Sequence, residues 1–361
     1  MSAAETFNPD WASSPGETIS DVLRERNISI DDFAEKMQKS RQEILELLDG
    51  ESPITLGTAR RLEKVLGASV EFWMSREFRY RERLTEPRVE DNLWLQTLPT
   101  ADMLKFGWLG SMPKGSDLLP ACLRFFGVDS VAGWHRVYAP LEQRYSFRTS
   151  TSFESKPGAL ITWLRRGELE GSAIECAPWN PLAFESALHS VRRLTREGDP
   201  DRFLPALQRL CAEAGVAVAI VRSPNGSRAS GATRFLSRNK ALLLLSFRYL
   251  SDDQLWFSFF HEAGHLLLHD LNEVFVEGVK ADDTTKEMEA KERQANEFAF
   301  RVLIPPEFER DFFALPQNAF AIARFAKRLG IAPGIVVGQL QFHRRVRPNH
   351  FNSLKRRYEW D

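Results

Sequence analysis

The chain has 361 residues, of which 43% are hydrophobic and 27% charged, a composition that suits two or three globular domains and excludes intrinsic disorder. The formal net charge is -1, so overall charge does not attract the chain to nucleic acid or to anionic membranes. Residues 1–8 lack the basic and apolar regions of a signal peptide, the apolar runs are too short to span a bilayer, and the three cysteines are scattered. We therefore expect a cytoplasmic protein without a membrane partner.

The first 84 residues are expected to form a bundle of short helices. Apolar residues recur at helical spacing over residues 18–26, 30–37, 40–48 and 55–66. A tight turn at Gln38-Lys39 between the second and third of these is typical of a helix-turn-helix domain. Residues 16–73 resemble the HigA-type antitoxins of the XRE group in three short motifs, namely Ser40-Arg41-Gln42, Leu48-Asp49-Gly50 and Pro53-Ile54-Thr55.

The third helix is the candidate DNA-reading element, with Ser40, Arg41 and Gln42 at its start as candidate DNA contacts. Its surroundings are unfavourable, because residues 29–56 hold seven acidic side chains against Lys36, Lys39 and Arg41 as the only basic ones. Two alternatives remain open. Either Arg41 and Gln42 reach base edges, or the fold serves to dock a partner or to form a homodimer.

Residues 85–170 are predicted to form a mainly helical middle region in which no chemistry is visible. A polar stretch over residues 148–158 is either a loop between helices or a hinge to the next domain. Valine- and leucine-rich runs at 215–221, 232–236 and 241–247 then predict a small sheet, to which residues 273–278 are a candidate fourth strand.

The strongest chemical signal is the motif His261-Glu262-Ala263-Gly264-His265, which reads as His-Glu-x-x-His on a helix that we expect to start near Asp252. Imidazoles four residues apart on a helix lie about 6 Å apart along its axis, so both can face one metal ion. The intervening Glu262 is placed to act as a general base toward a water there. The alternative is a buried helix whose histidines only satisfy hydrogen bonds in the core.

A third metal ligand is expected from another segment. His269 continues the same helical face but lies about 12 Å from His261 along the axis, too far for one ion, so we expect it to orient a partner or to bind substrate. A strong helix over residues 284–303 offers Glu292 on the side of its apolar face, with Glu289 one turn earlier as the runner-up.

These two segments together resemble the ImmA/IrrE family of bacterial zinc metallopeptidases. The likeness covers roughly residues 204–306 and rests on His-Glu-x-Gly-His-Leu-Leu-Leu-His followed by Glu-x-x-Ala-Asn-x-Phe-Ala and Leu-Ile-Pro. The resemblance implies that His261, His265 and Glu292 bind the metal and that Glu262 is the catalytic base. It also implies that residues 242–247 form the strand nearest the cleft.

Beyond Pro306, helices are predicted over residues 320–329 and 334–342. A basic tail follows, which is the better electrostatic candidate for contact with nucleic acid, the alternative being a solvated terminus. The tail residues are His343, Arg344, Arg345, Arg347, Lys355, Arg356 and Arg357.

The predicted fold is α+β and mainly helical. It comprises a helix-turn-helix bundle (1–84), a helical middle region (85–170), a zincin-like domain of the gluzincin type with a small sheet (171–315), and a helical extension with the basic tail (316–361).

The resemblance also implies one or a few regulatory protein targets, a repressor or a toxin. The predicted function is therefore that of a zinc-dependent, site-specific endopeptidase under transcriptional or stress/toxin–antitoxin control. Histidine and carboxylate ligands also suit Mn²⁺ or Fe²⁺, so the metal stays open. The alternative is a HigA-like regulator or antitoxin in which the peptidase fold only senses a ligand or docks a partner.

Overall fold

The computed structural model describes residues 14–85, 89–110, 117–146, 156–246, 251–269, 275–276 and 286–359. Its internal contacts divide the chain into two compact units, Met1–Asn92 and Leu93–Asp361. The described part is mainly helical with one small sheet, which confirms the predicted α+β class. The finer division into four domains remains a prediction. No helix in these ranges is long and apolar enough to cross a membrane.

The first unit is a bundle of short helices around one apolar core. The predicted helices and the turn at Gln38, which adopts a left-handed conformation with φ 53°, are confirmed. The core consists of Ile19, Phe33, Met37, Ile44, Ala59, Leu62 and Trp73, with their neighbours. The helices are α1 (Pro15–Glu25), α2 (Ile30–Met37), α3 (Arg41–Leu48), α4 (Leu56–Leu66) and α5 (Val70–Thr85).

The second unit opens with helices that pack around an aromatic cluster. Trp94, Phe126 and Trp134 meet edge to face, with ring centroids 5.7 to 6.1 Å apart. Such contacts add to the large apolar area that these rings bury. The helices are α6 (Val89–Thr97, which crosses the unit boundary), α7 (Thr100–Lys105), α8 (Leu118–Phe126) and α9 (Val131–Ser146).

A four-stranded sheet of order β1-β3-β2-β4 forms the centre of the second unit. The predicted strands appear as β1 (Val216–Ile220), β2 (Gly231–Ser237), β3 (Lys240–Leu245) and the two-residue β4 (Phe275–Val276). The β1–β3 pair is parallel and the β2–β3 and β2–β4 pairs are antiparallel. Successive side chains of β3 point to opposite faces.

Each face of the sheet has its own cover. Leu242 and Leu244 pack against Trp163 of α10 (Pro157–Ala173) on one face. Leu243 and Leu245 join the core around Phe259 on the other face. Phe259 belongs to α13 (Asp252–Leu268), the helix of the histidine motif, which starts where the sequence predicts.

Helices surround α13 and complete this core. The closest partner is α14 (Lys286–Leu303), which is the predicted helix of Glu292. Gly264 allows that closeness, because a Cβ added there would lie only 3.1 Å from Cδ1 of Phe298 and 3.3 Å from Cα of Ala295. The remaining helices are α11 (Pro181–Leu194), α12 (Pro200–Ala212), α15 (Pro306–Phe313), α16 (Ala319–Leu329) and α17 (Pro333–Phe342).

The basic tail closes the first turn of α13. Lys355 Nζ lies 2.7 Å from Oδ2 of buried Asp253, and the backbone N–H of Arg356 donates to Oδ1 of Asp252 over 3.1 Å. Ser251 pairs with Arg357 as an isolated β-bridge, and Tyr358 is buried. A fully solvated terminus therefore does not describe Lys355 and Arg356, which serve the buried carboxylates of α13, whereas Arg357 is exposed.

Candidate metal centre

Three side chains from two helices converge on one point. Nε2 of His261 and Nε2 of His265 are 3.0 Å apart, and the Glu292 carboxylate approaches them at 3.3 and 3.5 Å. Among the described residues, these three form the group of ligand atoms able to hold a metal ion. Both imidazoles are buried, whereas the Glu292 side chain is 40% exposed, so one side of the point is open.

Hydrogen bonds to Nδ1 of each imidazole favour a lone pair on its Nε2, the atom that faces the point where the three side chains converge. Nδ1 of His261 lies 3.0 Å from Oδ1 of Asn296, an oxygen that can only accept, so the proton of His261 is on Nδ1. Nδ1 of His265 lies 2.9 Å from Nδ1 of His269, whose Nε2 lies 3.0 Å from Oε1 of Gln294. His269 therefore stands behind His265, away from the point where the three side chains converge.

Burial keeps His265 neutral. Desolvation, followed by the neighbouring His261, His269 and Lys291, lowers its pKa to about 2. A neutral imidazole is the form that binds a metal ion.

The residues present fit a divalent ion. A tetrahedral zinc ion with Zn–N bonds of 2.0 to 2.1 Å sets its ligand atoms about 3.3 Å apart. The three separations observed here, 3.0, 3.3 and 3.5 Å, bracket that distance. Two imidazoles and one carboxylate form the donor set of a catalytic zinc site with an open position. The runner-up Glu289 is not part of the cluster and faces Arg293 at 3.8 Å on an exposed surface.

Glu262 is fully buried beside its two histidine neighbours. Its Oε2 accepts a hydrogen bond from Oγ1 of Thr233 on β2 over 3.1 Å. A Cβ on Gly231 of the same strand would lie 2.7 Å from Cγ and Oε1 of Glu262, so only glycine lets β2 pass so close. The strand against this glutamate is therefore β2. The expectation that residues 242–247 lie nearest the cleft is wrong, because β3 is the strand between β1 and β2.

The candidate DNA contacts of α3 are engaged within their own unit. Ser40 and Glu43 form a capping box, Arg41 pairs with Asp31, and Nε2 of Gln42 donates to Oε1 of Glu46 over 3.2 Å. Hydrogen bonds from Lys39 and then Ser40 lower the pKa of Glu43 to about 2, so it stays charged at the start of α3. These are exposed contacts, which separate at little cost.

Several supporting residues were not predicted from the sequence. Asn296 lies one turn after Glu292 on α14, so the helical period that placed Glu292 could also have found it. Gln294 and Thr233 carry no such signal. Their contacts depend on how α14 and β2 approach α13, which local sequence does not encode.

Comparison with known families agrees with this architecture. Residues 214–338 match the family model of the IrrE N-terminal-like domain, a peptidase family, and residues 19–73 match a helix-turn-helix model. The first match spans all the residues of the candidate centre. No curated protein matches the chain. The chain thus combines a helix-turn-helix domain with an IrrE N-terminal-like peptidase domain.

Proposed function

We propose that this protein is a zinc-dependent, site-specific endopeptidase that cuts a regulatory protein, and that the helix-turn-helix unit couples this activity to transcriptional or toxin–antitoxin control. The observation that carries the proposal is the convergence of His261, His265 and Glu292 directly beside a buried Glu262. A bound zinc ion would supply Lewis-acid chemistry by polarising the scissile carbonyl and lowering the pKa of water.

The remaining steps belong to the protein's own residues. Glu262 takes a proton from the attacking water and returns it to the nitrogen of the leaving amine, so a single carboxylate serves as base and then as acid. Thr233 holds Oε2 of Glu262 and thereby fixes the plane of the carboxylate. The partly exposed Glu292 marks the side from which a peptide can reach the site.

The proposed substrate class follows from the second domain present on the same chain. A helix-turn-helix module on the same chain suits a protein that acts together with repressors or toxins. The protein substrate is therefore proposed to be a repressor or toxin in the cytoplasm.

A second candidate is a HigA-like regulator or antitoxin that uses the peptidase fold only to sense or dock a partner. Ser40, Arg41 and Gln42 bond within their own unit, and docking of a partner or assembly as a homodimer would leave these contacts intact. The exposed Arg344 and Arg347 keep the tail as a second candidate surface for DNA.

The metal content of two variants tests whether Glu292 or Glu289 is the third metal ligand. Glu292→Ala removes a donor of the cluster and should strip most of the bound zinc. The matched control Glu289→Ala, one turn away on the exposed face, should keep it. Elemental analysis of both purified variants against wild type measures the ratio of metal to protein. Zinc retained by Glu292→Ala and lost by Glu289→Ala would move the third ligand to Glu289.

Cleavage separates the two candidate functions. Glu262→Gln keeps the size and packing of the side chain but removes the base, which typically costs about a hundredfold to ten-thousandfold in rate. Purified wild type and variant are first shown to contain equal amounts of zinc. Both are then expressed in the native host, and new protein termini are compared across the proteome. A peptidase cuts at least one regulator or toxin in the wild-type strain only. If neither strain shows a cut and the variant reproduces every phenotype, the regulator reading stands instead.

A further inference from the structure

His269 remains a third histidine beside the centre without a role in the reaction. It is the C-cap residue of α13, with an extended backbone at φ -123° and ψ 172°. Its N–H still bonds to the carbonyl oxygen of His265 over 3.2 Å, so the chain leaves the helix while staying close to the last turn. The two imidazole rings consequently meet, with centroids 5.0 Å apart.

One proton lies between the two Nδ1 atoms, which are 2.9 Å apart, because two lone pairs cannot bond to each other. The next contact decides which ring carries it. Nε2 of His269 faces Oε1 of Gln294 at 3.0 Å, and an amide oxygen only accepts, so His269 is protonated at Nε2. In this tautomer His269 presents a lone pair at Nδ1, and His265 is the donor.

This order of donors fixes the chemistry of His265. With its proton on Nδ1, the lone pair of His265 is on Nε2, the atom 3.0 Å from Nε2 of His261 and 3.5 Å from the Glu292 carboxylate. The reverse order would place the proton on Nε2, where it would block coordination. Partners that orient a ligating imidazole in this way typically change metal affinity by about 10- to 100-fold.

We infer that His269 and Gln294 are positioning residues that hold His265 in the tautomer able to bind a metal ion. The inference rests on the proposed metal site and adds two residues to it. Asn296 does the same for His261 in one step, whereas His265 is served by a relay of two. The relay ends at Gln294, an exposed residue that lines a groove between α11 and α14.

The main test is the zinc affinity of the full chain, measured by competition with a chromophoric chelator. His269→Ala removes the acceptor and should weaken zinc binding about 10- to 100-fold. His269→Asn places an amide oxygen near the position of Nδ1 and should restore most of the loss. Wild-type affinity in His269→Ala, or equal weakness in both variants, would overturn the inference. Circular dichroism of each variant checks that helix content is unchanged.

Gln294 offers a matched pair at an exposed position, where folding is not at stake. Gln294→Glu keeps an acceptor for Nε2 of His269, whereas Gln294→Met has nearly the same shape without one. We expect the Met variant to bind zinc more weakly than the Glu variant. Equal affinities would remove Gln294 from the relay.

His261→Ala separates failure of this inference from failure of the proposed function. If His261→Ala loses zinc while His269→Ala binds like wild type, the metal site stands and the relay is wrong. If His261→Ala itself binds zinc like wild type, the proposed centre is wrong. Histidine ¹⁵N spectra of the metal-free chain give an independent reading. His265 should carry its proton on Nδ1 in wild type and shift toward Nε2 protonation in His269→Ala.

Discussion

The buried carboxylate of Asp252 should make the stability of the second unit fall as pH rises from about 4 to 6. Desolvation, followed by repulsion from Asp253, raises the pKa of Asp252 from 3.8 to about 6. The N–H groups of Asp253 and Arg356 oppose this shift by donating to Oδ1, over 2.9 and 3.1 Å. Oδ2 has no hydrogen bond within the described part of the chain.

The sign follows from proton binding. Because the folded pKa lies above the unfolded one, the native state binds more protons between the two values, and stability declines with rising pH across that window. Below about pH 4 both states are protonated and the penalty vanishes. Above about pH 6 the whole penalty applies, and two pKa units amount to about 3 kcal/mol. The Asn side chain in Asp252→Asn cannot ionise. The free energy of unfolding of this variant, relative to that of wild type, should therefore rise by about that amount between pH 4 and pH 7.

Urea unfolding of the full chain from pH 4 to 8 measures this difference. Tryptophan fluorescence suits the purpose, because most of the nine tryptophans lie in Leu93–Asp361. Excess chelator removes the pH dependence of metal binding. Asp201→Asn, which removes an exposed carboxylate on α12, is the control for the loss of one acidic residue. A difference between Asp252→Asn and wild type that stays constant with pH would refute the reasoning, whatever its size.

Three further substitutions test the packing around the centre. Lys355→Met leaves the buried Asp253 carboxylate without its ion pair and should lower the free energy of unfolding in urea by about 3 to 5 kcal/mol. Adding Asp253→Asn should restore part of that loss. A loss below about 1 kcal/mol would contradict the prediction. Gly264→Val overfills the contact with α14 and should cost about 1 to 3 kcal/mol and weaken zinc binding, so unchanged affinity would argue against close packing as the reason for the glycine. Thr233→Val removes the hydrogen bond to Glu262 and should slow cleavage about 10- to 100-fold at unchanged zinc content. Thr233→Ser keeps a hydroxyl and should keep the cleavage rate near that of wild type. Full activity in the valine variant would exclude the positioning role.

Sequence reasoning was most successful where one helix contains the whole pattern. The start of α13 and the placement of Glu292 on α14 follow from periodicity and capping signals. The N-terminus of α13 depends on a distant segment, because the Ser251 side chain makes no capping bond and the carbonyl oxygen of Arg356 accepts from the N–H of Asp252. Local signals place the element, and a distant segment satisfies its end.

The rest required tertiary structure. His269 was expected to orient a partner or to bind substrate, and the partner that it meets is His265, because the chain turns extended at His269. Thr233 reaches Glu262 only through the register of β2 against β3 and the approach of that sheet to α13. Arg41 looked available for DNA in the sequence, but an acidic side chain ten positions away lies within its reach. No period or motif encodes such pairings.

The contacts between residues 355–358 and the start of α13 also bear on the order in which parts of the chain can fold during synthesis. Asp252 and Arg356 are 104 positions apart, and Tyr358 completes the same corner of the core. A ribosome adding about 5 to 20 residues per second needs several seconds or more to cover that distance. The helix-turn-helix bundle, whose core lies within residues 19–73, has already been synthesised when that interval begins. The core of the helix-turn-helix bundle is therefore synthesised in full well before residues 355–358, which pack against the start of α13 beside the candidate metal centre, become available.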